Sequence, residues 1–188
     1  GNVVFLDEVL DTAEKKALDV IEQKSPDLKN KEEIARQVGV GAVVFGALAN
    51  SRIKDLAFSY DKALSYDGET APYLQYTHAR CCSVIEKAGE VNAAPDYSVL
   101  TDDDSFALAT RLAAFDQAVV TAGERYEPSV ISGYLLDLAK LYNRFYLSSR
   151  ILGEPAPVQS ARLALTRLTR DVLKTGLGLL LISAPTAM

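Results

Sequence analysis

Apolar residues recur along this chain at spacings of three and four, in blocks separated by short polar or Gly/Pro stretches, which is the pattern of amphipathic helices. Leu6, Val9, Leu10, Ala13, Ala17, Val20 and Ile21 fall on one face with charged residues between them, and Ser25-Pro26-Asp27 ends that helix. Ahead of it, Val3-Val4-Phe5-Leu6 reads as a short strand-like lead-in, with Asp7 as the N-cap candidate. A second helix is predicted over 31–50, its Glu32 and Glu33 complementing the N-terminal dipole. Gly39, Gly41 and Gly46 lie inside it, each costing roughly 1 kcal/mol relative to Ala, so close packing rather than propensity must hold this helix. They do not form a dinucleotide fingerprint, because the strand-turn-helix context and the third glycine at the required spacing are missing.

The next block opens with a tight turn at Asp67-Gly68, a helix N-cap candidate at Thr70 and Pro72 in the first helical turn. Tyr73, Tyr76 and Arg80 then share a face, and Gly89 is a plausible C-cap. Residues 91–104, rich in Asn, Pro and Asp, read as a surface loop whose Asp102-Asp103-Asp104 caps the following helix; the run lacks the spacing of a calcium loop. Phe106, Leu108, Ala109, Leu112, Ala113, Phe115, Val119 and Val120 predict one helix ending near Gly123, and Pro128 starts another that presents Tyr142, Phe145 and Tyr146 beside Arg144. A last helix over 160–182 should bury Leu163, Leu165, Leu168, Val172 and Leu173 and expose Arg162, Arg167, Arg170 and Lys174.

Charge changes this picture in one respect. The net charge of -5 argues mildly against RNA binding over the whole surface, since phosphate binding usually shows as a basic balance. Between Lys140 and Lys174, however, Lys140, Arg144, Arg150, Arg162, Arg167, Arg170 and Lys174 face only Glu154 and Asp171. An acidic body with a basic last third fits one RNA-facing surface, and equally two solvated helices. Cys81 and Cys82 are adjacent, so they point in different directions on a helix, and the chain has no other cysteine to complete a zinc site. His78 is the only histidine, which removes histidine pairs and triads and leaves a structural role as the simplest one. With no signal peptide and no apolar run able to cross a bilayer, the expectation is a cytoplasmic protein.

Two phenol rings and a guanidinium on one helical face suit unstacked nucleic-acid bases, because rings stack on base faces while Arg pairs with phosphate or stacks as a plane. Two core tyrosines and a solvated arginine fit the same spacing, and such pairs are more often packing. Sequence context bears on the choice. Thr70, Pro72, Tyr73, then Leu74-Gln75-Tyr76, a small residue and His78-Ala79-Arg80, continued through Ile85, resemble the signature with which arginyl-tRNA synthetases open their anticodon-binding domain. Residues 1–11 resemble the run that follows the lysine-containing loop of that family's nucleotide site, and residues 42–65 the segment that closes its catalytic body, with Arg52 and Lys54 near the junction and 55–60 extended. The Asn143-Arg144-Phe145-Tyr146 helix is similar to a family helix. Residues 162–165 and the later Val-Leu and Gly-Leu resemble the end of the DALR anticodon-binding family. Two departures stand in the tail: the family's Leu-Gly-Ile is Leu180-Leu181-Ile182 here, and an acidic position after the last proline is Thr186.

The resemblance implies an all-α protein: a helical bundle over 69–188 that binds an anticodon, preceded over 1–68 by a mostly helical remnant of a class I catalytic body. It implies anticodon contacts from the turn Ser65, Tyr66, Asp67, Gly68, Glu69 and Thr70, from Tyr73, Tyr76 and Tyr146, and from Met188, with Arg80, Arg144 and Arg150 as candidates for phosphate contact. The implied partner is arginine tRNA, bound by a monomer, with no DNA or membrane partner. ATP and Mg belong to the full-length ligase, since neither nucleotide signature is present here and no catalytic residue or metal ligand is expected in these 188 residues. A helical protein-interaction module without RNA binding is the alternative, and a free-standing enzyme is the weakest reading because no nucleophile-base pair or phosphate loop is present.

Overall fold

The computed structural model describes residues 4–51, 53 and 57–188, and among these there are helices and no strand. The elements are α1 (Leu6–Lys24), α2 (Lys31–Leu48), the single-turn α3 (Tyr60–Ala63), α4 (Ala71–Ala88), α5 (Asp103–Ala113), α6 (Phe115–Arg125), α7 (Ser129–Ser148) and α8 (Ala156–Leu179). The first two pack as an antiparallel pair, and α4, α7 and α8 form the centre of a bundle that α5 and α6 complete on one side. α2 joins the two groups by also lying against α4.

Each group solves its packing differently. A Cβ at Gly39 would lie 2.6 Å from the backbone nitrogen of Glu14, so the glycine lets α2 approach α1 backbone to backbone, with Ala13, Ala17 and Ala35 buried at the seam. The bundle instead fills its centre with large side chains: Leu74, Leu135, Leu138, Tyr142, Phe145, Leu163, Leu173 and Leu177 are all essentially inaccessible. Gly176 allows Leu135 of α7 to sit against the backbone of α8.

Several expectations needed correction. The helix predicted to run from Phe106 to Gly123 is two helices broken at Ala114, whose φ of -90° and ψ of 4° turn the chain, and Phe106 is 71 % exposed rather than inward. Leu168, expected inside, is 53 % exposed, on a stripe of α8 left to solvent among the described residues. Asp7 is within α1, whose N-cap is Phe5 with no side-chain cap bond. Val4 and Phe5 are irregular, while residues 1–3, together with Arg52, Lys54 and 55–56, fall outside the described residues; of the stretch expected to be extended, Ser59 is so, with φ of -138° and ψ of 122°, and Tyr60 already opens α3. Other local expectations hold. The Thr70 hydroxyl accepts from the Tyr73 backbone N–H at 3.2 Å, Gly89 takes a left-handed φ of 60° at the end of α4, and Asp102 caps α5 by accepting from Ser105 N–H at 2.8 Å.

Candidate nucleic-acid interface

An open cleft of about 620 Å³ runs between α4, the C-terminal end of α7 with the loop after it, and the tail beyond α8. That volume is within the range of ordinary ligand sites. Tyr76 and Arg80 reach it from successive turns of α4, Tyr146 from α7, Arg150 from the following loop, and Thr186, Ala187 and Met188 from the tail; Lys87 and Glu86 sit at its far end. The i, i+4 relation of Tyr76 and Arg80 puts them on one stripe, and the crossing of α4 with α7 brings Tyr146 to the same guanidinium.

That guanidinium is the centre of the site. Its carbon lies 4.9 Å from the Tyr76 ring centroid and 5.1 Å from that of Tyr146, within the range of cation–π attraction, and it donates to Asn143 Oδ1. Asn143 in turn donates to the Tyr73 hydroxyl at 3.0 Å and to Thr77 Oγ1 at 3.3 Å, so of the three side chains that meet Arg80, Asn143 is itself tied to α4. Both outer rings remain accessible, Tyr76 at 42 % and Tyr146 at 39 %. Tyr146 is backed by the buried Tyr142, centroids 6.3 Å apart.

Other predicted residues fall at graded distances from this centre. Tyr66 meets Tyr76 edge to face at 6.2 Å, which joins the 65–70 turn to the cleft, and its other side carries the Lys24 ammonium at 5.4 Å. Within the turn, Ser65 Oγ bonds the backbone of Asp67, Gly68 takes φ of 103°, and Glu69 pairs with Lys140 at 3.2 Å. Tyr73 does not line the cleft; it is half-buried against the core and acts on it through Asn143. Arg144 points to the other side of α7, where it pairs with Asp104 at 3.5 Å. Arg150 lines the cleft while its Nε donates to the Leu152 carbonyl at 3.0 Å. Asn143 is the residue that spacing did not single out, although it lies three residues before Tyr146 on the same helical side. Cys81 is buried beneath the cleft and its thiol is pushed up to about 12 by that burial, an inert packing residue.

Comparison with known proteins decides what this arrangement belongs to. Residues 74–188, more than half of the chain, match the DALR anticodon binding domain. The chain belongs to the DALR anticodon-binding domain family. Residues 1–60 match the catalytic domain of class I tRNA synthetases of the R type. Along its whole length the chain is 48% identical to the arginine–tRNA ligase of Halothermothrix orenii and 47% identical to that of Clostridioides difficile, covering 33% of each. Its fold is similar to that of Thermus thermophilus arginyl-tRNA synthetase, with a TM-score of 0.94 at 41% identity over 99% of this chain and 32% of that one. The chain thus spans about a third of the length of the relatives it matches, and corresponds to their C-terminal part.

In this DALR chain the tail keeps its turn despite Leu181. That residue sits at φ of 60°, the Ile182 N–H donates back to the Leu177 carbonyl at 2.9 Å and the Leu181 N–H to Gly178 at 3.0 Å, which is the bonding of a Schellman turn. A leucine therefore occupies a left-handed position that favours glycine, and the strand of tail beyond it still returns across α4.

Proposed function

We propose that this chain reads the anticodon loop of arginine tRNA, as the anticodon-binding part of an arginyl-tRNA synthetase. The cleft supports the reading best: two accessible tyrosine rings on either side of a fixed guanidinium, walled by a methionine, form a stacking platform with a cationic centre. A base unstacked from the loop gains on the order of 1–3 kcal/mol on each ring it covers. Met188 supplies a polarizable wall that adapts to the base edge. Tyr66 and the 65–70 turn border the same ring of Tyr76, while Tyr73 holds Asn143 and so acts through Arg80.

Cytosine at the middle anticodon position offers one amino donor and two acceptors, which in this reading are met by backbone groups of the 65–70 turn or by the terminal carboxylate. Arg150 and Lys87 line the cleft and suit the flanking phosphates; Arg144 would have to leave Asp104 to do so. In this reading residues 69–188 are the recognition unit, 1–68 close the catalytic body of a longer, monomeric, cytoplasmic ligase, and ATP, Mg and arginine are handled by the remainder of that ligase. No helix among the described residues is long and apolar enough to cross a membrane.

The test is binding to arginine tRNA and to the same tRNA with its middle anticodon cytosine replaced, at one fixed moderate salt concentration. The unaltered chain is expected to prefer the first, and Tyr146→Ala to weaken that binding roughly 5- to 150-fold, the equivalent of one lost stacking contact. Equal binding of both tRNAs would sink the proposal and leave a helical interaction module.

A further inference from the structure

The tail wall of the cleft is held by two side chains that do not line it. His78 is 1 % exposed, and its Nδ1 lies 2.9 Å from the Pro185 carbonyl. Because a carbonyl only accepts, Nδ1 carries the proton and the ring donates. Gln75 is fully buried, and its Nε2 donates to Ser183 O at 2.8 Å and to Gln37 O on α2 at 3.1 Å. Both protons of that amide are thus committed, one to the tail and one to α2, while Oε1 is buried with no partner among the described residues. Leaving an acceptor unpaired costs about 1–3 kcal/mol, so a glutamine there is poorly explained by stability and well explained by what its amide grips.

The consequence lies three residues on. With 183 and 185 fixed to α4, residues 186–188 are carried over the cleft, and Met188 reaches the apolar cluster of Ala17, Ile21, Ala35 and Val38 between α1 and α2. Ile182, 3 % exposed, seats the start of the same strap beside Gly41. We propose that His78 and Gln75 are positioning residues that clamp the tail so that Thr186 to Met188 form one wall of the base-binding cleft. The proposal rests on the anticodon reading for what the cleft takes, although the clamp itself does not.

Met188 is the only methionine in the sequence, so its methyl group reports the tail directly. In the full chain, released from a cleavable tag and labelled with 13C-methyl methionine, the Met188 resonance is expected away from its position in a free peptide of residues 183–188. His78→Ala moves it to the free-peptide position, and His78→Asn, whose amide N–H can replace Nδ1–H, restores it. Binding of an anticodon stem-loop RNA with a middle cytosine falls about five- to tenfold in His78→Ala, the equivalent of one lost hydrogen bond. The same substitution has no further effect in a chain shortened to end at Ile182. Should His78→Ala lose its helical circular dichroism, Gln75→Ala carries the test through Ser183. A methyl resonance that stays put in His78→Ala, or an equal loss of binding in the shortened chain, overturns the clamp. A methyl shift as expected with no RNA binding by the unaltered chain overturns the anticodon reading alone.

Discussion

Two arginine–tyrosine contacts sit at opposite ends of α7, and they serve different ends with the same chemistry. Near its start, Arg111 of α5 lies 4.2 Å over the Tyr134 ring, the tyrosine hydroxyl donates to the Arg111 carbonyl at 2.6 Å, and the guanidinium pairs with Asp137 at 3.0 Å. Tyr134 is 3 % exposed, so this contact locks α5 to α7 and offers nothing to a ligand. Near its end, Arg80 meets Tyr76 and Tyr146 at slightly greater distances, with both rings more than a third exposed and no carboxylate paired to the guanidinium among the described residues. Cation–π geometry alone therefore does not separate the two contacts; the accessibility of the ring does, and the proposed stacking role rests on it.

Truncating the two rings should separate the roles. Tyr134→Ala empties a packed core position and is expected to cost about 3–5 kcal/mol in urea unfolding, as large-to-small core changes do. Tyr146→Ala should stay within about 1 kcal/mol of the parent in the same experiment while losing tRNA affinity. A large stability loss at Tyr146 would erase the contrast and make both contacts structural.

On the cleft side, Leu181→Gly relieves a left-handed leucine and is expected to raise stability by about 1 kcal/mol, read as a higher urea midpoint at unchanged slope. A loss instead would mean that the leucine side chain contributes packing which its 86 % exposure does not suggest.

The remaining effects are in pH, and they have opposite signs on the acid and alkaline sides. Burial pushes the His78 imidazole below its ordinary value, against the opposing pull of the Pro185 carbonyl. Below about pH 6.5 the unfolded chain therefore binds a proton that the folded chain does not, so this stabilisation is present above that pH and is lost as pH falls. Burial raises the Tyr134 hydroxyl from 10.0 to about 12, so the folded chain keeps a proton that the unfolded chain releases, and stability falls as pH rises between those values. Urea midpoints of His78→Asn and Tyr134→Phe across pH 5–7 and 9–12 should flatten one limb each; a limb unchanged by its substitution assigns that limb to other groups.

How much of this was legible follows the range of each interaction. Thr70, Pro72, Gly89 and Asp102 act on backbone within three residues, and their roles stood in the sequence because nothing distant can supply those bonds. The glycines of α2 announced a close neighbour without naming it, and only the fold identifies Glu14 as what Gly39 meets. The break at Ala114 leaves no mark in the sequence, because alanine favours helix and the apolar spacing continues across it.

The sequence by itself determined the all-helical class, the caps at Thr70, Gly89 and Asp102 and, through long runs of matching residues, the family. Tertiary structure decided which tyrosines are free. Spacing places a side chain on a face of its own helix, but whether that face meets another helix, a tail or water is set by elements tens of residues away. Tyr73 and Tyr76 lie three residues apart with one spacing rule, and it took α7 and the returning tail to commit Tyr73 to Asn143 and leave Tyr76 open in the cleft.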